Sequence, residues 1–156
     1  MKILFLHGKE GTPFGSKPTY LRSKGYEVCA PALDKNDWEG SRATAQKAFE
    51  EFTPDVVVGS SRGGALACDL KTGDIPKVLI APAYKHFPAK VVDVDKNCWI
   101  LHCKDDTIVK WEHSVQLAES TDAVLLECGE GHRMSDETAL RVLHSCVGFA
   151  QKRKHG

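Results

Sequence analysis

A serine stands at the centre of a Gly-x-Ser-x-Gly pattern in residues 59–63. The β-branched run 56–58 precedes it and an alanine- and leucine-rich stretch follows, which predicts a strand, a sharp turn and a helix. The side chain at the apex of such a turn projects from the sheet, and the positions two before and two after it must be small. Ser61 meets this requirement, whereas Ser60 would place Val58 and Arg62 at those positions. Ser61 is therefore a candidate nucleophile, with an ordinary glycine-rich loop as the alternative.

A serine hydroxyl reacts well only when a histidine removes its proton and a carboxylate orients that histidine. Candidates for both follow later apolar runs: Asp105 and Asp106 come after residues 99–102, and His132 comes after residues 124–128. The order Ser, Asp, His is expected when all three project from the carboxyl ends of strands in one sheet. His132 alone is one loop histidine among seven, and either aspartate is also suited to cap a following helix.

The segment after the first apolar run is suited to bind negative charge on a carbonyl oxygen. Gly8 permits close approach of the backbone, so the amides of Lys9 and Arg62 are predicted to donate together to that oxygen. The amide of Glu10 is the alternative to that of Lys9 as this donor. A plain turn at His7-Gly8 is the other interpretation of the segment.

Apolar runs and helical spacing alternate along the chain. The runs typical of strands are residues 3–6, 26–30, 56–58, 78–81, 99–102 and 124–128. The stretches typical of helices are residues 17–24, 41–52, 64–71, 111–119 and 135–152. This alternation predicts an α/β fold of three layers, with a mostly parallel six-stranded sheet between helices and its site at the carboxyl ends of the strands. Residues 82–97 show no clear helix and are expected to overhang that site.

These motifs together resemble the α/β-hydrolase superfamily over almost the whole chain. The resemblance rests on His7-Gly8, on the elbow at residues 59–64, on residues 102–109 and on Gly131-His132. In the third of these the superfamily commonly has His-Gly-x-x-Asp-x-x-Val, which assigns the acid to Asp106. Cys103 replaces the usual glycine, so Asp105 remains the alternative acid.

The resemblance implies a minimal sheet with strand order 2-1-3-4-5-6 and no cap domain, most similar to the compact, lidless esterases of the YqiA type. It also implies a Ser61-His132-Asp106 triad. The pocket is then expected to be open. Its candidate lining residues are His7, Tyr84 and Phe87, with His86, Trp38 and Trp111 as further candidates, although aromatic rings are equally suited to core packing. Arg62 and Lys9 suggest tolerance for a negatively charged substrate, with an outward, solvated Arg62 as the alternative.

The predicted function is that of a serine hydrolase that cleaves a small or short-acyl carboxylic ester through an acyl-enzyme. The alternatives are a thioesterase, amidase or peptidase with the same triad, or a non-catalytic binding module. No cofactor is expected, since the chain has no Gly-x-Gly-x-x-Gly pattern. No metal is expected either, since its histidines lack the spacing of metal ligands.

Composition limits the partners. The 156 residues suit one domain, residues 1–156, and 21 basic and 21 acidic residues give a formal net charge of zero. No overall field favours nucleic acid or a membrane, so a small-molecule ester is the expected partner. Six cysteines without a Cys-x-x-Cys pair are predicted to be buried thiols, and no segment reads as a signal peptide or membrane span. A cytoplasmic location is expected.

Overall fold

The computed structural model describes residues 1–155, within which six strands and five helices follow one another. The strands are β1 Lys2–Leu6, β2 Glu27–Cys29, β3 Val56–Ser60, β4 Lys77–Ile80, β5 Trp99–His102 and β6 Val124–Glu127. The helices are α1 Ser16–Ser23, α2 Trp38–Phe52, α3 Arg62–Asp69, α4 Trp111–Thr121 and α5 Glu137–His155. The predicted domain, residues 1–156, extends one residue beyond this described part.

The six strands form one sheet in the order β2-β1-β3-β4-β5-β6, and every neighbouring pair is parallel. The predicted strand order is confirmed. Parallel strands need crossover helices, and these cover both faces of the sheet, which explains why β3 is buried along its whole length.

Alternate residues of each central strand enter two separate cores. Ile3 and Val58 pack with Leu21 of α1 and Leu143 of α5 on one face. The other core contains Val57 and the buried residues Ala45 of α2, Leu66 of α3 and Leu117 of α4. The sheet therefore lies between α1 and α5 on one side and α2, α3 and α4 on the other.

Two helices begin two or three residues earlier than their apolar spacing predicts. Helix α3 begins at Arg62 instead of residue 64, and α2 begins at Trp38 instead of residue 41. The side chain of Asp37 accepts a hydrogen bond from the amide of Gly40, so α2 has a capped first turn that apolar spacing does not mark. Both helix starts matter for the site, because they position Trp38 and Arg62.

Residues 82–97 contain no helix or strand, as predicted, and form no cap. The fully buried Lys77 links this segment to the sheet by hydrogen bonds. Its Nζ donates to the carbonyl of Val92 at 2.5 Å and to that of Leu70 at 2.9 Å. All six cysteines are free thiols; five are buried, as predicted, whereas Cys29 is only partly buried. Among the described helices, none has both the length and the apolar character needed to cross a bilayer.

Candidate active site

Ser61 occupies the sharp turn between β3 and α3 in a strained conformation, with φ 56° and ψ −112°. A residue with a side chain adopts such angles at a cost of about 1–3 kcal/mol, so the surroundings must hold it. The amide of Ser61 donates to the carbonyl of Ile80 at 2.9 Å, and its own carbonyl accepts from Ala65 and Ala83 at 3.1 and 3.0 Å. Helix and sheet together thus fix the hydroxyl at the carboxyl edge of the sheet.

The glycines on either side of the turn are required by close packing. A Cβ at Gly63 would lie 2.0 Å from the carbonyl oxygen of Leu6, and a Cβ at Gly59 would lie 2.3 Å from the carbonyl oxygen of Gly63. Neither neighbour is a flexible side chain that could move away. The register that places Ser61, and not Ser60, at the apex therefore has a direct steric cause.

His132 and Asp106 meet Ser61 in a continuous chain of hydrogen bonds. Ser61 Oγ lies 2.8 Å from His132 Nε2, and His132 Nδ1 lies 2.7 Å from Asp106 Oδ2. Because the carboxylate can only accept, His132 Nδ1 carries the proton and Nε2 is left to accept from the serine hydroxyl. Three side chains that are distant in sequence are thus brought together. The exposed Asp105 is not part of these hydrogen bonds.

Asp106 is held as a carboxylate by its partners. Its Oδ1 accepts from the amides of Ile108 and Val109 at 2.8 and 2.9 Å. Burial by itself would raise the pKa of this carboxyl, but the hydrogen bonds from His132, Val109 and Ile108 together outweigh burial and lower the pKa below its ordinary value. Neither aspartate caps α4, whose N-cap residue is Lys110.

His102, at the end of β5, is a buried partner of Asp106 to which the sequence analysis gave no role. Its Nε2 lies 3.0 Å from both Asp106 Oδ2 and the carbonyl oxygen of Val109, so Nε2 carries a proton and donates to both. Its Nδ1 lies 2.6 Å from Ser114 Oγ. Burial lowers the pKa of His102 although Asp106 opposes this, which favours a neutral ring whose Nδ1 accepts from the Ser114 hydroxyl. The available signal was a histidine at a strand end four residues before the aspartate.

The loop that carries His132 is fixed from both sides. Gly129 has φ +89°, and a Cβ there would lie 2.5 Å from the sulfur of Met134. The carboxylate of Asp136 accepts from the amides of Glu130 and Ala139 at 3.0 and 3.2 Å, which joins the loop to the start of α5. His132 therefore projects from a tightly bonded loop.

A cavity of about 800 Å³ opens above Ser61 and His132. The backbone of Gly8 borders it closely, since a Cβ there would lie 3.3 Å from Ser61 Cβ. Lys9 lines the cavity next to Gly8, and Arg62 begins α3 directly after Ser61. Both residues that were predicted to supply oxyanion-hole amides thus border the cavity beside the serine.

Comparison with solved structures supports the sheet topology independently. A protein from Xanthomonas campestris, described as a hydrolase of the alpha/beta superfamily, has a TM-score of 0.76 at 22% identity, over 99% of each chain. Alpha/beta hydrolase domain-containing protein 10 from mouse has a TM-score of 0.76 at 16% identity, over 97% of this chain and 90% of its own. The esterase domain of a Rhodothermus marinus protein has a TM-score of 0.66 at 16% identity, over 97% and 86%.

The chain has the α/β-hydrolase fold. No protein-family model matches the sequence, and no curated protein matches it either. At these identities the likeness is one of fold, and the site must be understood from its own side chains.

In this α/β-hydrolase fold, the predicted lining residues fall into two groups. His7 and Phe87 line the cavity, as does His86. Tyr84 is not among the lining residues, and its hydroxyl donates to the carbonyl of His113 at 2.7 Å. Both ring nitrogens of His7 are engaged, one with the carbonyl of Gly8 at 2.8 Å and one with the amide of Leu33 at 3.0 Å, so this ring also fastens the loop after β2.

The outward, solvated interpretation of the Arg62 side chain is wrong. The guanidinium is 2% exposed and donates to the carbonyl of Asp34 at 3.0 Å and to Ser41 Oγ at 3.2 Å. It also lies 5.6 Å from the ring centroids of Trp38 and Phe87, which stack on each other. Arg62 thus anchors α2 and the loop after β4, and Trp38 is a packing residue.

Within residues 1–155, no cluster of three or more histidine, cysteine, aspartate or glutamate side chains has the arrangement of a metal site.

Proposed function

We propose that this chain is a serine hydrolase that cleaves carboxylic esters through an acyl-enzyme. The proposal rests on one observation, the unbroken hydrogen-bond chain from Ser61 through His132 to Asp106 at a strained turn. A purely structural role would not require a serine in this conformation, whose cost must be offset by the surrounding packing.

In the first step, Ser61 Oγ attacks the carbonyl carbon of the ester while His132 Nε2 takes the hydroxyl proton. Asp106 holds the ring in the required tautomer and stabilises the imidazolium that forms. The amides of Lys9 and Arg62 are the proposed donors to the carbonyl oxygen as it becomes negative, a contribution of about 10²–10³ in rate for each donor. The bond to the alcohol oxygen then breaks, and His132 returns its proton to the leaving alcohol.

In the second step, water replaces the alcohol. His132 removes a proton from the water as its oxygen attacks the acyl carbon, and the bond between that carbon and Ser61 Oγ breaks. The proton goes to Ser61, which regenerates the free enzyme and releases the acid. Every proton is carried by His132, so the cycle needs no cofactor.

An ester of a small or short-acyl acid suits the site better than a long-chain lipid. The cavity is open, and residues 82–97 supply a loop instead of a cap domain that would enclose an acyl chain. An ester also loses its alcohol with less need for protonation than an amide loses its amine. A thioester, an amide or mere binding are therefore outcomes against which the test must discriminate.

The test is hydrolysis of p-nitrophenyl acetate and butyrate, of the matching thioesters and of the matching anilides, by the native chain and by Ser61→Ala. Ser120→Ala is the matched control, since Ser120 lies on α4 and its hydroxyl donates to the carbonyl of Leu117. We expect ester turnover that falls by at least about 10³-fold in Ser61→Ala and is unchanged in Ser120→Ala. Undiminished turnover in Ser61→Ala would refute the mechanism, and inertness toward all three substrate types would favour a binding module.

A further inference from the structure

The charged side chains that line the cavity are mostly cationic. The Arg62 guanidinium donates to Asp34 and Ser41. The other charged lining residues are three cations, Lys9, Lys17 and Arg133, and one carboxylate, Glu10. None of these four forms an ion pair with a carboxylate or ammonium group among the residues described. The cavity thus carries an excess of positive charge in a chain whose formal net charge is zero.

Lys17 is the most constrained of these cations. Its ammonium donates to the carbonyl of Arg133, the residue that follows His132. Its pKa is lowered to about 8, first by burial and then by the positive charge of Arg133, against a smaller opposing effect of Asp136. The carboxylate of Asp136 is already occupied by the amides of Glu130 and Ala139. Next to His132, Lys17 therefore experiences the positive charge of Arg133 more strongly than the negative charge of Asp136, and neither cation forms an ion pair among the described residues.

The two sides of the cavity differ in character. Lys17 lies in the first turn of α1, and Arg133 lies in the loop before α5, so both are on the side of the layer formed by α1 and α5. The loop after β4 contributes Ala83 and Phe87, and the ring of Phe87 stacks on Trp38 of α2, in the opposite layer. A ligand that spans the cavity would thus meet positive charge on one side and apolar surface on the other.

We propose that the preferred substrates are esters that also carry a carboxylate, held by Lys17 and Arg133 while Ser61 attacks the ester. The inference rests on the proposed function and adds a substrate class to it. An anionic arm would give Lys17 and Arg133 a carboxylate partner, which neither has in an ion pair among the described residues, and hydrogen bonds to charged groups are the stronger kind. The carboxylate lies either on the acid or on the alcohol, because both arms of an ester occupy the same open cavity.

The experiment compares matched esters that differ in one charge. On the acyl arm, p-nitrophenyl hemisuccinate is compared with p-nitrophenyl butyrate; on the alcohol arm, the butyrate ester of glycolic acid is compared with ethyl butyrate. We expect kcat/KM to favour the anionic member of one pair by about tenfold, the usual size of a hydrogen bond to a charged group. Lys17→Gln and Arg133→Gln should each remove most of this preference, through a higher KM for the anionic ester. The kcat and KM of both variants for the neutral ester are measured beside it.

The pH dependence gives a second signature. Lys17 carries its charge below a pKa of about 8 and loses it above, so the preference for the anionic ester should decline as the pH rises through that value. In Lys17→Arg the side chain stays charged above pH 8, so the preference of this variant for the anionic ester should persist there. Lys71→Gln is the control, because this exposed lysine follows α3 and does not line the cavity. It should match the native chain at every pH.

Failure of this inference can be told apart from failure of the proposed function. Equal kcat/KM for both members of each pair, or a preference unaffected by Lys17→Gln and Arg133→Gln, would overturn the inference while ester hydrolysis stood. If the native chain hydrolyses no ester, binding can still be measured. Calorimetry then compares the affinities of Ser61→Ala for methyl hydrogen succinate and methyl butyrate. Tighter binding of the anionic ester would support the inference even without turnover, and equal or absent binding would contradict it.

Discussion

The site has two halves that are built differently, the catalytic hydrogen-bond chain and the charged side of the cavity. Around Asp106, His132 and His102, each described carboxylate oxygen and ring nitrogen has a hydrogen-bond partner within the chain. Around Lys17 and Arg133, the charged groups are partly or fully exposed and lack a carboxylate partner among the described residues. The chemistry is thus arranged before a substrate arrives, whereas the choice of substrate is left to charges that a ligand must complete.

The largest expected effect comes from the carboxylate of the preorganised half. Asp106→Asn should lower kcat for neutral and anionic esters alike by about 10³–10⁴-fold, because the amide no longer fixes the His132 tautomer. Asp105→Asn is the matched control, as this neighbour is exposed and outside the hydrogen-bond chain. Steady-state kinetics on both variants provide the measurement, and a larger loss in Asp105→Asn would reverse the assignment.

Overpacking the elbow should come next. Gly63→Ala places a methyl group 2.0 Å from the carbonyl oxygen of Leu6, so we expect the free energy of unfolding to fall by about 3 kcal/mol or more. Gly148→Ala in α5 meets nothing within 4 Å and should instead stabilise the chain, by up to about 1 kcal/mol. Urea unfolding measures both changes. Similar changes in the two variants would contradict the packing given for the elbow.

A smaller effect should follow loss of the buried ring behind Asp106. His102 is a positioning residue, and its removal breaks a hydrogen bond to a charged group worth about 1.5–3 kcal/mol, which corresponds to a 10- to 100-fold fall in kcat. His102→Gln keeps a donor at a similar reach and should retain more activity than His102→Ala.

A purely structural role for His102 makes a different prediction. In that case the unfolding free energy would fall with kcat unchanged, and Gln would rescue stability alone. The substrate preference between neutral and anionic esters should not move in either variant, because His102 lies outside the cavity lining.

The sequence correctly predicted those parts of the molecule that depend on local residue patterns. Apolar runs located the strands, and the size of Gly59 and Gly63 selected Ser61 over Ser60. Three-dimensional packing decided what the pattern left open. The superfamily motif pointed to Asp106 but left Asp105 as the alternative, and the loop amides that donate to the Asp106 carboxylate distinguish the two.

Side-chain direction was the main thing that the sequence could not give. Arg62 follows the nucleophile, yet its guanidinium donates to Asp34 and Ser41 and packs on the ring of Trp38. Lys17 belongs to a helix predicted only as a covering element, and its ammonium reaches the loop after His132 across 116 residues of sequence. Long flexible side chains find their partners from layer contacts that a one-dimensional pattern does not contain.

The central claim is that Ser61 is made reactive by His132. Its most direct test is covalent labelling with a fluorophosphonate, followed by mass spectrometry of the peptide that contains Ser60 and Ser61. We predict one adduct, on Ser61, formed rapidly in the native chain and at least about 10³-fold more slowly in His132→Ala. An adduct on Ser60, or equal labelling rates in the two proteins, would contradict the account.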